Sequence, residues 1–388
     1  MKVVDLRRRK LLQYSFIGMG IFFGNTLLPS PIKAASLPLA SLGELLPPDQ
    51  NGVRLPAGFT SRIVARSGQT LFGYHWHAAP DGGATFATPD GGWIYVSNSE
   101  LKDRAGGVGA LRFNAQGEIV DAYSILKHTN RNCAGGHTPW QTWLSCEEID
   151  KGQVWECDPF GQKTARVRNS LGLFRHEAVA VDTGNQQLYL TEDESDGCLY
   201  RYTARTFDAL GNPDLEDGFL EVAEVVEGRI GTVRWHTLPD PLATKISTRK
   251  QVINSTQFDG GEGIWFHQGI VYFTTKGDNR VWAYDVQQHR LTIVYNVALY
   301  QRPVLTGVDN IIVNAAGELL IAEDGGDMQI VVLIAGKALP LLQVIDHDHS
   351  EITGPAFSPD GSRLYFSSQR GKTGNPEDGA TFEITGPF

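Results

Sequence analysis

The 388-residue chain has only four cysteines and three methionines, and its 34 lysines and arginines are outnumbered by 44 acidic residues. Beyond Leu28 no apolar run approaches the roughly 20 residues that a bilayer-spanning helix needs. A Gly-x-Ser-x-Gly elbow and a P-loop are both missing. Each shortage excludes something. A net charge of −10 without a Lys/Arg-rich stripe argues against nucleic acid as a partner. Without a long apolar run, the exported chain is expected to be soluble, with no membrane association. Four cysteines (Cys133, Cys146, Cys157 and Cys198) are too few for a disulfide scaffold. Pairing is the default for an even count in an oxidising compartment, which leaves Cys157 with Cys198 as one possible bridge and a lone thiolate ligand as another use.

What is abundant is turn chemistry. Forty-three glycines and nineteen prolines among short apolar runs favour strands and turns over helices. The N-terminus reads as an export signal over residues 1–35. Arg7, Arg8, Arg9 and Lys10 precede a mostly apolar stretch from Leu11 to Leu28, and the small residues Ala34, Ala35 and Ser36 follow. Paired arginines before Leu11 and Leu12 point to the twin-arginine route, which carries proteins already folded. A periplasmic or secreted monomer is expected.

One pattern recurs: an aromatic or aliphatic triplet, a small residue, then polar or acidic residues. Its copies end on Ser97, Ser145, Thr191, Thr274, Ala322 and Ser367, which lie 48, 46, 83, 48 and 45 residues apart. A period near 45 matches one four-stranded propeller blade. In five copies a turn such as Asp90-Gly91-Gly92 or Asp360-Gly361 comes just before the triplet, as hairpins require. The reading is an all-β, six-bladed propeller over residues 36–388 with an insertion at about 204–258. The strand near Ser61–Val64 would complete the last blade.

Blade symmetry lets distant residues meet. Counting back 12 to 14 residues from each small residue gives the starts of the innermost strands: Cys133, Glu177, Glu262, Asp309 and Thr353. Side chains alternate on the returning strands, so the first and third positions past the small residue share a side. These hold Asn98 and Glu100, Glu148, Glu192 and Glu194, Glu323, and Arg370. One rim would therefore gather Cys133, Glu148, Glu177, Glu192, Glu262, Asp309 and Glu323, with Asn98 and Glu100 close by. Unpaired carboxylates packed at one point repel or protonate, and multivalent cations remove that cost. Oxygen ligands suit calcium; sulfur with several carboxylates suits iron. His176 should point away from Glu177 as a supporting or core group.

Asn132-Cys133-Ala134-Gly135-Gly136, Thr138-Pro139-Trp140 and Thr142-Trp143-Leu144-Ser145-Cys146-Glu147-Glu148 resemble the central motif of the PhoX-type alkaline phosphatases. His176-Glu177-Ala178, Thr191-Glu192-Asp193 and Gly261-Glu262-Gly263 extend the resemblance over nearly everything after Leu46. The resemblance implies a six-bladed propeller, twin-arginine export, a mixed iron and calcium cofactor, and hydrolysis of phosphate monoesters at alkaline pH for phosphate scavenging. It matches Cys133, Glu148, Glu177 and Glu262 to metal ligands, and also Asn98 with Glu100, and Asp309. The chain is much shorter than the large members. It also has Gly260 where they carry an arginine that holds substrate phosphate. Arg370, and after it Lys276, are the expected replacements. The rival readings are a calcium-dependent lactonase or phosphotriesterase, and a metal-binding propeller without catalysis.

Overall fold

The computed structural model describes residues 39–334 and 336–388; the export signal expected over 1–35 lies outside them. The described chain is all-β with a propeller-like arrangement, its helical content limited to short 3-10 turns. Each repeat starts with an innermost strand: Pro80–Ala87, Asn132–His137, His176–Asp182, Gly261–His267, Val308–Val313 and Ile352–Phe357. A tight hairpin leads from each into the strand that carries the recurring triplet. At the first of these turns Gly91 takes φ 83°, a conformation open to glycine, and its N–H donates to the Thr88 carbonyl.

The sheets are not six separate four-stranded units. Three have four strands and one has five, its edge strand being Val53–Arg54. The third and fourth repeats share one nine-stranded sheet. The strand that joins them is Gly231–Thr237, inside the expected insertion. It pairs along five residues with Gly218–Val225 and by two with Arg290–Asn296. Part of the long interval is thus the third repeat's own outer strand, and part is this bridge. At the other end Thr60–Arg66 pairs with Ala380–Thr385, so an N-terminal strand completes the last sheet as the sequence implied.

The innermost strands pack backbone against backbone, which explains their small residues. A Cβ on Gly82 would lie 2.5 Å from Ala134 Cα, and one on Gly136 would collide with the Val179 carbonyl. Polar groups stitch each innermost strand to the next. Asn98 Nδ2 donates to the Cys133 and Ala134 carbonyls, Thr191 Oγ1 to Glu262 O, and Thr274 Oγ1 to Asp309 O. Gly354 N donates to Asn310 Oδ1, and Thr353 Oγ1 closes the cycle by donating to Pro80 O. The hydroxyls of Ser145, Thr191 and Thr274, three of the recurring small residues, thus bond across repeats where water cannot substitute. Outside this ring, fully buried aromatics fill the wedges between repeats, as in the stacked Tyr95–Tyr365 pair and the tilted Tyr189–Tyr284 pair.

Candidate metal centre

All six innermost strands carry a β-bulge at corresponding places. In the first five, three residues advance against two on the partner strand: from Pro80 to Gly83, Asn132 to Gly135, His176 to Val179, Gly261 to Ile264, and Val308 to Ile311. A bulge leaves one residue outside the ladder and re-aims its side chain. The first bulged residues are Asp81, Cys133, Glu177, Glu262 and Asp309. In the sixth strand the shift runs from Thr353 to Ala356, and no charged residue occupies the bulge.

A second set comes from the returning strands. The N–H groups of Glu100, Glu148, Asp193, Lys276, Asp324 and Gln369 donate to the carbonyls of Ala79, Arg131, Arg175, Gly260, Gly307 and Glu351 respectively. This bond, repeated six times, marks equivalent positions around the axis. It places four carboxylates, one ammonium and one amide just beyond the bulged residues, and puts Arg131, Arg175 and Glu351 at the mouth.

The two sets meet. Ligand atoms of Cys133, Glu148 and Glu177 lie within 4.8 Å of one another, as do those of Asp81, Glu100 and Glu351, of Glu177, Glu262 and Asp309, and of Asp309, Asp324 and Glu351. Cys133 Sγ is 3.3 Å from Glu177 Oε1, while Glu177 Oε2 is buried with no hydrogen-bond partner. Burial, then the neighbouring carboxylates, pushes the carboxyls of Asp81, Glu177 and Glu262 well above the usual range. Burial with Glu100 and Asp193 nearby takes Glu148 to about 8, and burial takes Asp309 to about 6. The Cys133 thiol is pushed up by burial and by Asp81 and Glu177. So many acids in one buried site, one with an orphaned oxygen, are what a multivalent cation would relieve. The donor set fits a hard-metal centre with one sulfur ligand.

Cations also face the ring. Lys276 Nζ lies 3.0 Å from Glu262 Oε1, 3.2 Å from Asp324 Oδ2 and 3.8 Å from Asp309 Oδ2. Arg370 donates to Glu351 (2.8 Å) and to the His349 carbonyl, and sits 3.6 Å from Asp324. Arg131 reaches Glu100 at 3.4 Å and Arg175 reaches Glu148 at 3.6 Å. Below the bulges the axis opens into a cavity of about 250 Å³ lined by Gly82, Ala134, Ala178, Gly263 and Asn310 among others.

Of the residues expected at the rim, Cys133, Glu148, Glu177, Glu262, Asp309 and Glu100 come together. Asn98, Glu192 and Glu323 do not. The Asn98 amide is consumed by the Cys133 and Ala134 carbonyls on one side and by Trp143 Nε1 and Ser145 Oγ on the other. Glu192 accepts from Cys198 N, Tyr200 Oη and Arg249, and Glu323 from Thr306 N and Gln329 N. Glu147 accepts from Asn130 N and Gln153 N in the same way, so the three are equivalent clamps that hold the following loop. For Glu192 and Glu323 the error is a one-residue slip, whereas Asn98 is withdrawn by its bonds to the second repeat. Gly83 and Gly135 pair with Ser97 and Ser145, but the matching Val179, Ile264 and Ile311 pair with Leu190, Phe273 and Ile321. Aligning the repeats on their small residues therefore inverts the faces between the first two repeats and the next three.

Asp81, Asp324 and Glu351 were not anticipated. Asp81 lies 16 residues before Ser97, outside the 12–14 window, yet Asp81-Gly82-Gly83 has the same acid-then-small form as the other strand starts. His176 turns away as expected, packing at a tilt against Phe174 and contacting the Gly172 carbonyl. Among the described residues all four cysteines are free thiols, so the Cys157–Cys198 pairing is absent.

A family model described as "Alkaline phosphatase PhoX" matches residues 77–156 and 149–371. Among solved structures, Pseudomonas fluorescens PhoX in complex with vanadate, a transition state analogue, aligns with a TM-score of 0.74 at 18% identity. The alignment covers 89% of this chain and 98% of that one. A gluconolactonase from Xanthomonas campestris (TM-score 0.50, 14% identity, 89% and 98% covered) shares the fold more loosely. So does the PQQ domain of pyranose dehydrogenase from Coprinopsis cinerea (TM-score 0.50, 13% identity, 87% and 98% covered). No curated protein sequence matches the chain significantly.

Proposed function

Because the chain belongs to the PhoX alkaline phosphatase family, we propose that its carboxylate-lined mouth is the active site of a metal-dependent phosphomonoesterase. The observation that carries this reading is the convergence of eight carboxylates and one thiol from five bulged strands and their neighbours, with a buried Glu177 oxygen left without a partner. The relative solved with vanadate, a transition state analogue, supports the phosphatase reading.

Bound cations supply positive charge for the phosphoryl oxygens and a lowered pKa for an attacking water. The chain's own residues do the rest. Cys133, Glu148, Glu177, Glu262 and Asp309 would hold the ions, joined by Glu100, Asp81, Asp324 and Glu351. Calcium with iron is the pair that the donor set and the family resemblance favour. The bulges fix these side chains before any ion arrives, so little ordering cost remains when substrate binds.

Gly260 has no side chain to hold phosphate, so other cations at the mouth must do so. Arg370 is one. Arg131 and Arg175 are two more, each making a single long contact to the ring and keeping 42% and 35% of its side chain exposed. Arg131 has φ 43°, a left-handed conformation shared by its equivalents Ala79, Gly260 and Gly307, so its backbone is set by the repeat. Lys276 was expected to share this task, but its ammonium is committed to three carboxylates.

The same reading takes the nine-stranded sheet as two four-stranded blades bridged by Gly231–Thr237, which gives six blades around one axis. It takes residues 1–35 as a twin-arginine export signal and the folded chain as a periplasmic or secreted monomer. The test is hydrolysis of p-nitrophenyl phosphate at pH 8–10 by protein exported with its own metals, before and after chelation. Chelator-sensitive turnover is expected, abolished in Glu262→Ala. A fully metallated sample with no turnover would sink the proposal.

A further inference from the structure

Glu147, Glu192 and Glu323 clamp equivalent loops, but among the described residues only Glu192 is met by a cation. Glu147 and Glu323 accept backbone N–H groups alone. Glu192, fully buried, also meets Arg249 at 2.9 Å. The same guanidinium reaches Asp196 at 2.8 Å and Glu194 at 3.4 Å, with only 18% of its side chain exposed. Arg249 stands in a 3-10 turn, Thr248–Lys250, within the interval that exceeds the repeat period. That segment is anchored on the third repeat at both ends, because Leu238 N donates to Leu220 O and Thr256 N to Ala223 O. The buried Thr248 Oγ1 lies 3.0 Å from Tyr200 Oη, which donates to Glu192.

The gripped loop leads on to the next repeat. Its Glu194 carbonyl accepts from Gly260 N at 2.9 Å, and its Gly197 carbonyl from Phe258 N at 2.8 Å. Both donors come just before Glu262, whose own carbonyl accepts from Thr191 at the foot of the loop. The loop is closed tightly, since a Cβ on Gly197 would lie 2.3 Å from the Glu192 carbonyl oxygen.

We propose that Arg249 is a positioning residue for the metal centre: by locking residues 193–197 it fixes the strand start that presents Glu262. The inference rests on the reading of the ring as a metal centre and adds a residue that touches neither ion nor substrate. Groups that hold a ligand in place commonly matter roughly 10–100-fold for metal affinity, and Arg249 acts one step further out, at the lower end of that range. Charge alone predicts the opposite, because taking a cation from beside an acidic ring tightens its hold on a metal ion. A loss of affinity therefore reports positioning.

The experiment titrates manganese(II) into chelated protein and follows the free ion by electron paramagnetic resonance, with thermal melts beside it. Arg249→Gln should weaken at least one class of manganese site about tenfold. Arg249→Lys keeps the charge beside Glu192 but loses the planar fork, so it should fold even if Arg249→Gln does not, and should weaken binding about threefold. Arg201→Gln is the control: Arg201 pairs with Glu221 at 2.7 Å on the outer strands of the same repeat, with 13% of its side chain exposed. It should lower Tm and bind manganese as the wild type does. Wild-type or tighter affinity in the folded Arg249 variants would overturn the proposal, as would an equal loss in Arg201→Gln. A wild type that binds no manganese would overturn the metal-centre reading together with this one.

Discussion

Stripping the ring of cations should give a protein that grows less stable as the pH rises from 5 to 9, the reverse of ordinary acid sensitivity. Burial takes the Asp309 carboxyl from its ordinary 3.8 to about 6. Burial, with Glu100 and Asp193 beside it, takes that of Glu148 from 4.5 to about 8. Each group holds its proton more tightly in the folded chain than in the unfolded one. Its stabilising contribution is therefore complete below the unfolded value, near 4, and is lost as the pH climbs through 6 for Asp309 and 8 for Glu148. At 1.36 kcal/mol per pH unit, the two shifts correspond to about 3 and about 5 kcal/mol. They share neighbours and overlap, so the loss should be on the order of 5 kcal/mol, which in a chain of this size lowers Tm by on the order of 10 °C. Bound cations favour the ionised carboxylates, so the loaded protein should lose stability towards acid instead. Thermal unfolding followed by circular dichroism at pH 5, 7 and 9, with and without prior chelation, measures both slopes. A chelated protein whose Tm is flat or rises from pH 5 to 9 would refute the argument.

Two further outcomes separate the roles assigned to individual residues. Glu177→Gln should lower metal content, whereas Glu192→Gln and Glu323→Gln should leave it unchanged and cost about 1–3 kcal/mol of stability, because the clamps lose charged acceptors for buried donors; elemental analysis beside thermal melts distinguishes them. Arg131→Ala and Arg175→Ala should each raise KM for p-nitrophenyl phosphate about tenfold, the equivalent of one charge-assisted contact, at unchanged metal content; steady-state kinetics on the loaded variants reads this directly.

Much of this molecule is written locally. The period near 45, the glycine turns and the alternating triplets belong to single hairpins, whose two strands are neighbours in the chain, so repeat number and strand type can be read without tertiary information. The same locality exposes Cys133, Glu177, Glu262 and Asp309, each a short count back along its own hairpin. Tertiary structure decided the rest. Which returning side chains face the axis depends on strand register, and a slip of one residue exchanged Asp324 for Glu323 as the ring carboxylate. The bulges that re-aim the ligands leave no composition of their own. Glu351 enters from the segment before the last innermost strand, and Gly231–Thr237 ties two repeats into one sheet, through contacts between segments far apart in the chain. The contacts of Lys276 with Asp309 and Asp324 likewise cross from one repeat to the next. Periodicity along one strand is a property of the sequence; distances across a shared axis are set by hydrogen bonds and packing among all the strands at once.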